Sequence, residues 1–169
     1  MGTPKALVHE TDGTSWLVRS ISALREGGCA RVAVVLGASA DEARPLLEGQ
    51  DVTVVVADDW DEGMGASLRA GLASLAGSAE AAALVSLVDL PDVGAGVVAR
   101  LLVGGATGAT LRRAAYDGTP GHPVLIGRDH WTGVAESATG DQGARAYLGR
   151  HEVELVECGD LATGRDVDR

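Results

Sequence analysis

A regular alternation of short, apolar, β-branched runs with helix-length amphipathic stripes is the feature that most limits the folds open to this chain. Arg31 to Leu36, Val52 to Val56 and Ala82 to Val88 are dense in Val, Leu and Ala and end at Gly37, Ala57 and Asp89. Between and around them lie stripes with helical spacing. Ser15 to Glu26 carries Trp16, Leu17, Ser20, Ile21 and Leu24 on one side and is stopped by Gly27-Gly28. Gly65 to Leu75 carries Leu68, Leu72 and Leu75 in phase. Asp41 to Leu47 reads as a short helix with Pro45 within its reach, and Val97 to Leu102 as another. Thr110 to Tyr116 and Pro123 to Ile126 read as two strands around a Gly118-Thr-Pro-Gly121 turn. Gln142 to Leu148 then reads as a helix and Val153 to Glu157 as a last strand. Such alternation predicts an α/β domain with a parallel sheet covered by helices on both faces.

The 169 residues suit one such domain, 1–169, and contain no Phe, so the core must be built from Val, Leu and Ala. A formal net charge of -10 repels a phosphate backbone, so no polymeric nucleic acid is expected as a partner; a free nucleotide stays open, because Mg²⁺ and backbone N–H groups can hold its phosphates. Cys29 and Cys158 are far apart and form no CxxC pair, so no structural zinc site is expected and a reduced, cytoplasmic setting fits. No apolar stretch approaches 18 residues and no charged-then-apolar leader is present, which predicts a soluble, unsecreted protein without a membrane partner.

In open α/β sheets the ligand sits beyond the carboxyl ends of the strands. That rule directs attention to Gly37, to Ala57-Asp58-Asp59-Trp60 and to Asp89-Leu90-Pro91. Asp89 is the sharpest of these. A carboxylate there is positioned to hold Mg²⁺ beside a bound triphosphate, or, equally on spacing, to cap the helix entered near Gly94. In Asp59-Trp-Asp-Glu-Gly-Met-Gly-Ala-Ser-Leu68, Gly63 and Gly65 let backbone approach a ligand, the next helix offers free N–H groups and Ser67 adds a hydroxyl; a plain strand-to-helix loop is the other reading. Lys5 is a compact charge suited to a phosphate or simply to solvent. His122, between two strands, either touches a substrate or makes a structural hydrogen bond in a turn. Asp141 precedes a helix it could cap, and Arg145 either binds an acceptor phosphate or is exposed. Asp166 and Asp168 read as a frayed acidic tail or as a second carboxylate for the metal, folded back from the terminus.

Six segments in order resemble the MobA-like NTP transferases, most closely the molybdenum cofactor cytidylyltransferase branch. They are Met1-Gly-Thr-Pro-Lys-Ala-Leu7, Trp60-Asp-Glu-Gly-Met-Gly-Ala-Ser-Leu68 with Gly71-Leu72, Asp89-Leu-Pro91, Gly121-His-Pro-Val124, Gly140-Asp-Gln-Gly-Ala-Arg145 and Asp166-Val-Asp168. The resemblance implies a Rossmann-like, doubly wound, mostly parallel sheet of the nucleotide-diphospho-sugar transferase type. It also implies a Mg²⁺-dependent enzyme. In that reaction a substrate phosphate attacks the α-phosphorus of an NTP, with CTP the leading donor, and pyrophosphate leaves. The acceptor implied is a phosphorylated small molecule, molybdopterin first, with a molybdoenzyme as the downstream partner. Residue by residue, the resemblance puts Lys5 on the nucleotide phosphates and Asp89 on the metal. Gly63, Met64 and Ser67 would line the base and ribose pocket, and His122, Asp141 and Arg145 would face the acceptor. Asp166 or Asp168 would be the second metal ligand.

The chain departs from the family at both ends. The family begins with a buried strand and a Leu-Ala-Ala-Gly-type loop carrying an Arg, directly before the Met-Gly-x-Pro-Lys stretch, and here Met1 stands where that stretch begins. At the other end the family continues with Thr-Pro-Glu-Asp and a short helix. Met1 is therefore expected to be an internal methionine taken as a start, or the chain a trimmed portion, and the sheet to lack its first strand, leaving unpaired edges and apolar surface. Two other functions fit the same residues: a non-catalytic nucleotide- or pterin-binding module in cofactor assembly, and a nucleotidyltransferase acting on a sugar phosphate.

Overall fold

The computed structural model describes residues 4–167. The first long helix, α1 (Trp16–Glu26), starts where Ser15 accepts a hydrogen bond from the Val18 amide, and buries Trp16, Leu17 and Ile21. It leads into β1 (Ala33–Leu36). The stretch read as one helix over 41–47 is a single α-helical turn, α2 (Ala40–Ala43), followed by a 3₁₀ turn over Arg44–Leu47. Pro45 at the start of that turn is the reason, since its ring and missing N–H break the helical ladder. Then come β2 (Thr53–Val56), α3 (Met64–Ser74), β3 (Ala82–Val85) and α4 (Ala95–Leu102). The chain continues through β4 (Leu111–Tyr116), β5 (Thr119–Gly127), α5 (Trp131–Ser137), α6 (Arg145–Leu148) and β6 (Glu154–Glu157).

The strands form two sheets. β1 and β2 pair in parallel, Ala33 opposite Thr53 through Leu36 opposite Val56. The other sheet has the order β3-β5-β4-β6. In it β4 and β6 are parallel, while β5 runs antiparallel to both β3 and β4. The antiparallel pairs come from the β4–β5 hairpin, whose turn is Asp117-Gly118, with φ of 51° and 78°. Two left-handed residues in an Asp-Gly pair make the tight connection that matches strand twist. The turn therefore lies one position earlier than Gly118 to Gly121 predicts, and Thr119 to His122 are strand rather than turn.

Helices cover both faces of the four-stranded sheet. On one side Leu111, Val124 and Ile126 pack with Leu72 of α3, Trp131 and Val134 of α5 and Leu148 of α6. On the other, Ala114 and Tyr116 pack with Val97 and Leu101 of α4 and with Cys158. A third cluster joins Leu17 and Ile21 of α1 to Val34 and Leu36 of β1. Among the described residues no strand lies between β1 and β3. A cavity of about 690 Å³ runs there instead, with the two strand edges as side walls, α1 residues Leu17 and Ile21 among its lining, and Leu68 and Leu72 of α3. No helix among the described residues is long and apolar enough to cross a membrane.

Candidate functional site

Three segments meet where β3 ends. β3 stops at Val85, three residues short of the predicted end, and Ser86 to Val88 carry the chain out of the sheet to Asp89. Helix α4 has Gly94 as its N-cap and no side-chain cap, so Asp89 is not used as the helix cap that its spacing allowed. Its backbone carbonyl accepts from the Val167 amide at 3.0 Å, and the Val167 carbonyl accepts from the Lys5 ammonium at 2.7 Å. Val167 of the C-terminal segment, 162 positions from Lys5, thus ties Lys5 to Asp89. The segment is held on its way there by Asp92, whose Oδ2 accepts from the amide and hydroxyl of Thr163, both at 2.6 Å. Gly164, at φ +62°, lies so close against the Tyr116 ring that no Cβ fits. Asp166 immediately precedes Val167, and Asp168 lies outside the described residues.

The second group of residues surrounds the start of α3. Gly63, at φ +103°, turns the chain into the helix, and a Cβ there would stand 2.6 Å from Asp141 Oδ1 and 2.8 Å from the Gly140 carbonyl carbon. Only glycine serves both the dihedral and the approach. Asp141 does not cap the helix that follows it; its Oδ1 accepts from the Met64 amide at 3.3 Å, at the N-terminus of α3. The negative charge there suits the free N–H groups of a helix start. Arg69 fastens the same contact by donating to the Ala138 carbonyl at 2.7 Å and pairing with Glu62. Met64, 45% exposed, and Ser67 both border the cavity.

The third group lies on the β4–β5 hairpin. His122 is half-buried in β5, its carbonyl accepts the Tyr116 hydroxyl at 2.6 Å, and the His122-Pro123 peptide is cis. Burial first, and the positive charge of Arg113 second, push the His122 ring down to about 4, so it is neutral at neutral pH. Burial likewise pushes the Tyr116 phenol up, which keeps it a hydrogen-bond donor. Met64, Ser67, His122, Asp141 and Arg145 all line the same cavity, which also reaches Val88, the residue before Asp89. The residues named from the sequence thus fall into two neighbouring groups, one around Lys5 and Asp89 and one around α3 and the hairpin. Sequence reading missed Asp92 and Thr163, which dock the tail, and Arg113, which lines the cavity beside His122. A charged residue in an otherwise apolar strand, Leu111-Arg-Arg-Ala-Ala-Tyr116, was the available signal for Arg113.

A divalent cation fits the donor chemistry at the end of β3. The Asp89 carboxylate has no hydrogen bond or ion pair among the described residues, and Mg²⁺ is commonly held by one or two carboxylates together with substrate phosphates. Among the described residues there is no preformed group of three or more His, Cys, Asp or Glu side chains for a metal. A substrate-completed site is what such a carboxylate supports.

A family model described as MobA-like NTP transferase domain matches residues 1–155. The chain is similar to nicotine blue oxidoreductase of Paenarthrobacter nicotinovorans, 36% identical over 174 residues that span 98% of this chain and 83% of that protein. Among solved structures it is similar to the homologue of Mycobacterium tuberculosis rv0371c from mycobacterium sp. strain JC1, with 32% identity, a TM-score of 0.82 and coverage of 99% and 83% of the two chains. It is also similar to Rv0371C in complex with manganese from M. tuberculosis H37Rv, with 27% identity, a TM-score of 0.79 and coverage of 98% and 88%.

Proposed function

This chain belongs to the MobA-like NTP transferase family, and from that premise we propose that it transfers a nucleotidyl group, CMP from CTP, to a phosphorylated small acceptor of the molybdopterin kind, for delivery to a molybdoenzyme. The observation that carries this reading is the junction at the end of β3, where Val167 binds both Asp89 and Lys5. An oxygen of the acceptor phosphate bonds to the α-phosphorus, the bond from that phosphorus to the β-phosphate bridging oxygen breaks, and pyrophosphate leaves with the electron pair. Mg²⁺, when bound, neutralises charge on the triphosphate. Asp89 would hold it, with Asp166 or Asp168 as a second carboxylate. Lys5 stands over the phosphates as a compact positive charge. Gly63, Met64 and Ser67 line the base and ribose side, and His122, Asp141 and Arg145 the acceptor side. Such chemistry rests on positioning and electrostatics, which these separate chain segments supply together. Manganese in the Rv0371C complex supports a divalent ion in this fold.

Pyrophosphate release, measured with each NTP, Mg²⁺ and a panel of phosphorylated acceptors, tests the reading. Asp89→Asn is expected to lower turnover on the order of a hundredfold or more while leaving the thermal midpoint in place. Full activity in that variant defeats the metal role. The 36% identity with nicotine blue oxidoreductase supports a second reading, oxidation or reduction of a small molecule at the same cavity. Consumption of a reduced nicotinamide nucleotide, with no pyrophosphate released from any NTP, would favour it.

A further inference from the structure

Strand β4 carries two adjacent arginines, and strand alternation sends them to opposite faces of the sheet. Arg112 is engaged on the α4 side through Nε and Nη1. It donates to Glu154 at 2.7 Å and to the carbonyls of Leu101, Val103 and Gly105, at 3.2, 3.0 and 2.9 Å, which closes the end of that helix. Arg113 faces the other way, on the side of Leu111 and α6, into the cavity. Its Nε donates to the Gly121 carbonyl at 2.7 Å, and among the described residues it has no carboxylate partner. That bond fixes the guanidinium plane and leaves its terminal N–H groups for something else.

Arg145 lines the same cavity and also lacks a carboxylate partner among the described residues. Burial first, and the positive charge of Arg145 second, lower the proton affinity of Arg113. Two carboxylates border the cavity. Asp141 is directed at the Met64 amide. Glu80 precedes β3, at the far end from Arg113, which stands level with Val85 through their shared neighbour Val124. Arg113 is thus placed beside the strand end that leads to Asp89. A half-buried guanidinium and an exposed one on the same cavity, neither with a carboxylate partner among the described residues, suit an anion from outside.

We propose that Arg113 and Arg145 form a clamp for a phosphate group of the small-molecule ligand, with His122 beside them as a neutral hydrogen-bonding wall. The clamp rests on the transfer reading only for which molecule brings the phosphate: the acceptor in that reading, a dinucleotide cofactor in the redox reading. Arg113 provides the fixed fork and Arg145, exposed at the start of α6, the adjustable one. Lysine is a poor replacement for the fixed member, because it lacks the planar fork.

Calorimetric titration of the intact protein with inorganic phosphate and with pyrophosphate, at constant ionic strength and without Mg²⁺, tests the clamp. Arg113→Ala is expected to weaken phosphate binding on the order of tenfold or more, and Arg113→Lys to recover only part of it. Arg145→Ala, at an exposed position, gives the same readout should Arg113→Ala fail to fold. Phosphate affinity equal in wild type and both alanine variants overturns the clamp. If the variants lose phosphate binding but the intact protein releases no pyrophosphate from any NTP, the clamp stands and the transfer reading falls. If transfer proceeds and Arg113→Lys leaves the acceptor KM unchanged, the transfer reading stands and the clamp falls.

Discussion

Carrying the buffer from about pH 8 to about pH 5 crosses the range in which an exposed histidine gains its proton, and His122 cannot follow without charging inside the fold. Burial and the neighbouring Arg113 hold its ring near 4, against an ordinary 6.5. The unfolded chain therefore takes up this proton through pH 6.5 and the folded chain only near 4. Between those values the unfolded state binds more protons, so the free energy of unfolding falls as the pH falls. The full difference is 6.5 − 4 = 2.5, which at 1.36 kcal/mol per pH unit is about 3 kcal/mol, and about 2 kcal/mol of it is already lost at pH 5. Urea unfolding of the wild type and of His122→Asn at both pH values isolates this contribution. The carboxylates held low by hydrogen bonds, such as Asp160 and Glu157, are common to both proteins and lose their contribution only at still lower pH. The stability gap between wild type and variant is expected to shift by about 2 kcal/mol against the wild type on acidification. Parallel pH dependence in the two proteins would falsify the placement of a neutral, buried His122.

Two further substitutions probe the scaffold. Gly27→Ala adds a methyl that collides with Cβ and Cγ1 of Val98, itself 1% exposed, so it is expected to destabilise by about 1–3 kcal/mol in urea unfolding; unchanged stability counts against the close α1–α4 seam. Glu157→Gln removes a carboxylate that accepts from the amides of Asp117, Gly118 and Gly159 at 2.9, 2.9 and 2.8 Å. Those amides hold its carboxyl below the usual range, so the stabilisation is present at neutral pH and lost on acidification. The thermal midpoint of Glu157→Gln should sit below that of wild type at pH 7 and converge with it as the pH falls below the ordinary 4.5; a constant offset counts against the carboxylate's role.

Elements whose signals are local were legible in the sequence. The Trp16, Leu17, Ile21 stripe behind Ser15 is α1, and the β-branched runs are β1 and β2 within two residues at their starts. What failed depended on pairing. The Thr119-Pro-Gly121 stretch has turn composition, yet Asp117-Gly118 makes the turn and frees it to extend β5 along β4. Ser86 to Val88 are as apolar as a strand, but β5 pairs with β3 only from Val124 onward, so nothing holds them in the sheet. The same limit applied to the site. Asp89, Lys5 and Asp166 stand at chain positions a strand-end rule or a family resemblance reaches. Arg113 became visible only with the register that turns Arg112 to α4 and Arg113 to the cavity.

The unfilled lane between β1 and β3 bears on how the molecule carries force. Among the described residues no backbone ladder crosses it, so a pull on one sheet reaches the other through packed side chains, those of the helices and of Val88. Two close contacts belong to that packing: α1 against α4 where Gly27 meets Val98, and α3 against β1 where Gly71 meets Val35. Helix seams slide by small steps more easily than hydrogen-bonded strands shear. The spacing of Met64 and Ser67 on α3 from Arg113 and His122 on the hairpin is therefore set by side-chain packing rather than by a shared strand ladder.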